Sequence, residues 1–248
     1  MVGQSIQIEP TQEQLGYLNG EKMFTLTDLD GLRAASTEKT VVMDWTVVEQ
    51  NVGMKLASRD DEIPASVFQS VNAGFILLFG LVFSALWGYL GARGMDPSAP
   101  VKFGLGLVQL GLGFGAYWLG AVQCSERGMV GLVWLVVGYL LQTTGELCLS
   151  PVGLSQMTKL SPKHLVSTVM GGWFLSTAFS QYLAYIIASF AGISESGGGE
   201  QVVPAPVETV MLYGEVFKQI TIAAVISGVA CLLLAPWMKA WMHEGEGD

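Results

Sequence analysis

Glu146 asks more of its surroundings than any other residue, because it stands inside a long apolar run that extends from Met129 to about Thr158. A charged side chain at the centre of a spanning helix costs roughly 2.5–3.5 kcal/mol unless it faces water or a cation. An acid in that place therefore predicts a wet pathway lined by this helix. Ser150 follows at i+4 and shares the face of Glu146, so one ligand could meet both. Its hydroxyl could equally bond back to its own helix. Pro151 cannot donate a backbone hydrogen bond, and the helix is expected to bend there. Asn72 lies near the start of another apolar run with Gln69 three residues before it, placed to bond a ligand or a neighbouring helix. Trp173 follows Gly171 and Gly172 well inside a third run, away from the interfacial level where tryptophan usually anchors, and reads as a pocket wall or as packing. Glu49 and Asp44 are the remaining acids in apolar surroundings.

Such residues have to be held by helices, and the composition supplies them. Of 248 residues 51% are hydrophobic and 13% charged, proportions that suit a bilayer better than a water-facing surface. Five stretches are long enough to span: 67–92, 103–124, 129–158, 165–193 and 217–241. Residues 41–54 read as a partial helix, interrupted by Asp44 and Glu49. Residues 1–40 read as a polar segment, with Leu26, Leu29 and Leu32 able to form a short amphipathic turn, and 243–248 as an acidic tail. Gly104, Gly106, Gly111, Gly113, Gly115 and Gly120 of the second span predict close helix packing, since no strand precedes them as in a phosphate-binding loop.

The positive-inside rule groups Arg93 and Lys102, then Lys159 and Lys163, then Lys239 on one side, which is expected to be cytoplasmic and to carry the C-terminus. A net charge of −9 with scattered basic residues gives nucleic acid no docking face. Cys124, Cys148 and Cys231 lack metal or disulfide spacing, and no nucleophile or metalloprotease motif is present, so no cofactor, metal or enzymatic activity is expected.

Three segments together resemble the proton-dependent oligopeptide transporter family of the major facilitator superfamily. Gly145-Glu-Leu-Cys-Leu-Ser-Pro-Val-Gly-Leu-Ser155, continued by Thr158-Lys-Leu-Ser-Pro162 and Met170-Gly-Gly-Trp-Phe-Leu-Ser176, is similar to that family's tenth and eleventh helices. Ile63 to Asn72, with Phe75 and Trp87, resembles the entry into its eighth, and Trp45-Thr-Val-Val-Glu-Gln50 the end of its seventh. The resemblance implies an all-α membrane protein: the C-terminal six-helix half of a major facilitator fold with a truncated first helix. It implies import of di- and tripeptides with protons across the inner membrane, in company with an N-terminal six-helix half that this sequence lacks. Glu146 would hold the peptide amino terminus, Asn72 would bond the peptide, Trp173 would wall the pocket with Ser150 beside it, and Glu49 would serve proton coupling. Asn51 and Val52 depart from the small residues the family places after the glutamine. Two other readings stay open: a truncated, non-transporting remnant, and a transporter of the same superfamily for another small solute.

Overall fold

The computed structural model describes residues 2–35, 41–58, 62, 65–190 and 206–242. Several expectations fall outside these: the loop residues Arg59 to Asp61, the Ile63-Pro64 pair, the side chain of Gln69, the connector from Ser194 onward with the end of the 165–193 span, and the acidic tail with His243.

The first part of the chain is a small folded unit rather than a polar segment and half a helix. Its strands are β1 (Ser5–Ile8), β2 (Leu18–Asn19), β3 (Lys22–Met23) and β4 (Met43–Thr46). β1 pairs antiparallel with β4, Ile8 opposite Met43 and Ser5 opposite Thr46, while β2 and β3 form a tight hairpin. One helix, α1 (Leu26–Ala35), turns its Leu29 and Leu32 onto a core of Ile8, Phe24 and Trp45. The expected partial helix over 41–54 is thus corrected to a strand followed by one 3-10 turn, Glu49–Asn51. The physical reason lies in the β-branched run around Trp45, which favours the pleated conformation. Along β4 Trp45 is fully buried while Asp44 is exposed, and this alternation gives both acids of the segment an outlet to water. Asn51 ties the unit together: its Nδ2 donates to the carbonyls of Leu18 (2.8 Å) and Thr46 (2.9 Å).

The rest is helical: α2 (Ala65–Ala92), α3 (Ala99–Val122), α4 (Leu132–Leu160), α5 (Val166–Phe190) and α6 (Pro206–Trp241). Among the described residues, α2, α3, α4 and α6 contain segments long and apolar enough to cross a membrane. α6 begins at Pro206 rather than near Phe217, and α4 runs through Pro151 without a break in helical assignment.

Glycine organises the centre. Gly106, Gly113 and Gly120 recur every seven residues on one face of α3, and a Cβ at Gly106 would stand 2.8 Å from the carbonyl oxygen of Gly145 on α4. Gly104 and Gly111 lie on the opposite face, two residues along and therefore about 200° around the helix. There a Cβ at Gly104 would come within 3.1 Å of the Gly228 carbonyl oxygen of α6. α3 is consequently the middle of a three-helix layer, and the backbones approach closely because nothing projects between them. The pairings also fix direction: Gly106 meets Gly145 and Gly120 meets Trp134, while Gly104 meets Leu232 and Gly214 meets Ala121. Both neighbours run antiparallel to α3, so Lys102, Lys159 and Lys239 gather at one end of the bundle.

α2 and α5 are attached differently. Neither has a buried residue among its described side chains, and both rest on α4. Beyond the end of α2, Lys102 reaches back with its ammonium 4.6 Å over the Trp87 ring and 2.8 Å from Asp96, clamping the α2–α3 turn.

Candidate functional site

The site is best followed along one stripe of α4. Thr143, Glu146, Ser150 and Gly153 stand at i, i+3, i+7 and i+10, which at 100° per residue confines them to an arc of about 80° over about 15 Å of helix. At the first end, the Thr143 hydroxyl donates to Asn72 Oδ1 at 2.6 Å, bringing α2 onto the stripe. At the other, the Trp173 ring of α5 lies on Gly153, its edge 2.5 Å from where a Cβ would be. Between the two contacts Glu146 and Ser150 are exposed.

This geometry joins four of the five expected residues. Asn72 and Trp173 flank the exposed Glu146 and Ser150 from two different helices. Asn72 spends its amide oxygen on Thr143, so its Nδ2 hydrogens are the end turned to further acceptors. Among the described residues no lysine, arginine or histidine forms an ion pair with Glu146. Pro151 adds a polar group nearby: lacking an N–H, it leaves the carbonyl of Leu147 without its usual helical donor.

Glu49 is not brought to this stripe. It is exposed in the 3-10 turn of the N-terminal unit, because the segment that carries it is not a spanning helix. Sequence reasoning missed Thr143 and Gly153, the two α4 residues that seat Asn72 and Trp173. Their helical spacing from Glu146 was the available signal.

A separate cavity of about 770 Å³ lies at the end of the bundle where α3 finishes and α4 begins. Phe68, Phe114, Tyr117, Tyr139, Tyr213 and Phe217 give it an aromatic wall, and Glu146 does not line it.

Comparison with known proteins decides what this helix set is. The family model described as the POT family matches residues 42–202. The chain belongs to the POT family. Its POT-like part covers the segment from β4 through α5 and leaves the first residues of the N-terminal unit outside the match. An uncharacterized transporter of Bacillus subtilis strain 168, YclF, is 35% identical over 210 residues, which are 81% of this chain and 39% of that protein. A dipeptide and tripeptide permease B of Aeromonas hydrophila is 30% identical over 182 residues, 73% of this chain and 35% of the permease. Among solved structures, a peptide transporter POT in complex with sulfate shares 34% identity with a TM-score of 0.56, covering 75% of this chain and 32% of the transporter. The chain therefore spans little more than a third of the length of the POT relatives it matches.

Proposed function

We propose that this chain supplies one wall of the substrate cavity of a proton-coupled importer of di- and tripeptides. The observation that carries this reading is Glu146, exposed at mid-helix between two interhelical contacts and, among the described residues, without an ion-pair partner. A peptide amino terminus is a cation of suitable size, and an ammonium–carboxylate hydrogen bond strengthens where water is scarce. Asn72 Nδ2 can donate to a peptide carbonyl, and Ser150 can accept from or donate to the same backbone. Trp173, held on Gly153, bounds the space on the α5 side.

The uncovered faces of α2 and α5 support a second helical half as the opposing wall, since substrate in repeat-built transporters sits between halves near the midplane. The resemblance supports a cell-membrane location, with the lysine-bearing end of the bundle and the C-terminus in the cytoplasm.

The test is reconstitution of the chain with the N-terminal six-helix half of a POT relative in proteoliposomes. An imposed inward proton gradient is expected to drive dipeptide uptake, and Glu146→Gln to abolish it. Uptake that is absent from the reconstituted pair, or undiminished in the variant, defeats the reading.

A further inference from the structure

The residues outside the family match make a specific connection between two parts of the bundle. Gln12 and Glu13 are neighbours in a 3-10 turn that is stiffened from within: the Thr11 hydroxyl donates to Gln14 Oε1 at 2.6 Å, and both side chains are fully buried. The Gln12 amide donates to Glu62 Oε1 at 2.5 Å, and Arg33 Nη2 of α1 donates to the other oxygen of the same carboxylate at 2.7 Å. Glu62 belongs to the lead-in of α2.

One residue further on, the Glu13 carbonyl accepts from Arg127 Nη1 at 3.1 Å, and the Arg127 guanidinium lies 4.4 Å over the Tyr17 ring. Gly16 has φ of +78°, and a Cβ there would be 2.7 Å from the Arg127 carbonyl oxygen, so the two backbones are in contact. Arg127 belongs to the α3–α4 turn. The next residue of that turn, Gly128, abuts Pro206 at the start of α6.

We propose that the N-terminal unit is a clasp that holds the lead-in of α2 against the α3–α4 turn. Adjacent Cα atoms are only about 3.8 Å apart, so gripping Glu62 with one residue and Arg127 with the next brings these two parts of the bundle to a fixed separation. α2 has need of such a fastening, because none of its described side chains is fully buried against the other helices. The Arg33–Glu62 pair is well shielded, with side chains 19% and 12% exposed, so loss of either partner leaves a poorly solvated charge behind. The clasp sets where Asn72 stands relative to Glu146, and it does so whatever solute is carried.

Hydrogen exchange on the full chain in nanodiscs tests it, read at residues 65–75 of α2, with exchange at residues 43–46 of β4 reporting whether the unit itself stays folded. Arg33→Glu is expected to speed exchange there roughly tenfold, and Arg33→Lys, which keeps a cation opposite Glu62 and leaves the Gln12–Glu62 bond in place, to stay close to the parent. Arg127→Ala, which lies outside the unit, is expected to speed the same exchange with β4 still protected. If Arg33→Glu unfolds the unit, the Arg127 variant decides alone. Unchanged exchange in Arg127→Ala, or in Arg33→Glu while the unit is folded, overturns the proposal.

Discussion

Thr143 Oγ1 lies 2.6 Å from Asn72 Oδ1, a side-chain hydrogen bond that joins α2 to the stripe of α4 carrying Glu146. The bond gives Asn72 two duties. Its oxygen fastens the helices, while its nitrogen stays available one helical turn from the acid. Both readings of Asn72 that its sequence context allowed, interhelical bond and ligand donor, are therefore compatible in one side chain.

Replacing Thr143 with valine keeps the shape and removes the donor. Hydrogen bonds between membrane helices are worth roughly 0.6 kcal/mol on average and up to about 1.7. We expect Thr143→Val to lower the stability of the purified chain by about 1 kcal/mol in thermal unfolding. Adding Asn72→Leu should cost less than the two single changes summed, because the bond is already lost. Strict additivity in this cycle would show that the contact carries no energy.

The glycine seams make a stronger demand. A Cβ at Gly145 would stand 2.8 Å from the Gly106 carbonyl oxygen and 3.1 Å from the Leu110 amide nitrogen, both backbone atoms that cannot rotate aside. Gly145→Ala is expected to force α3 and α4 apart and to destabilise the bundle by about 1–3 kcal/mol. Gly80→Ala, in open space on α2, should cost nothing measurable or stabilise the helix slightly. Equal melting temperatures for the two variants would contradict the seam.

Local rules explain what was legible in the sequence. The apolar lengths marked out the helices, and the glycine spacing forecast the close seams of α3. The N-terminal unit escaped because its signals conflict over short distances. Val41, Val42, Val47 and Val48 raise hydropathy enough to suggest a span, yet their β-branched shape and the alternation about Trp45 build a strand. The partner of that strand, β1, lies far away in sequence and contains only one buried residue, Ile8. Thr143 and Gly153 were hidden for another reason: their spacing from Glu146 puts them on its stripe, but their importance comes from what α2 and α5 place on them.

Acid should loosen the N-terminal unit at α1. Burial acts to raise the Asp28 pKa, but hydrogen bonds from Lys22 and from the Thr25 hydroxyl and amide outweigh it and hold the carboxyl below its ordinary 3.8. A depressed folded-state value means that stability is fully present above 3.8 and drains away as pH falls through the lower folded value. The fluorine NMR resonance of Trp45 in fluorotryptophan-labelled protein, followed through urea unfolding between about pH 5 and pH 2, should show a falling midpoint across that window. Asp28→Asn should start lower and respond less to acid. A variant as acid-sensitive as the parent would move the origin of the effect elsewhere.

Gly153 and Trp173 permit a test of how α5 is held. The indole lies where any side chain at 153 would have to go, with Phe103 of α3 beneath it, so Gly153→Val must push the ring off α4. Nearly three turns along the stripe, Thr143 and Asn72 are untouched, and α2 should stay in place. The expected outcome is faster hydrogen exchange confined to α5 around Trp173, together with weaker dipeptide binding in the reconstituted transporter. Trp173→Ala removes the same wall without forcing the helices apart and should weaken binding while disturbing exchange less. If the valine variant loosened α2 as much as α5, the stripe would not consist of two separate attachments, and Glu146 would not stand between them on an independently bounded face.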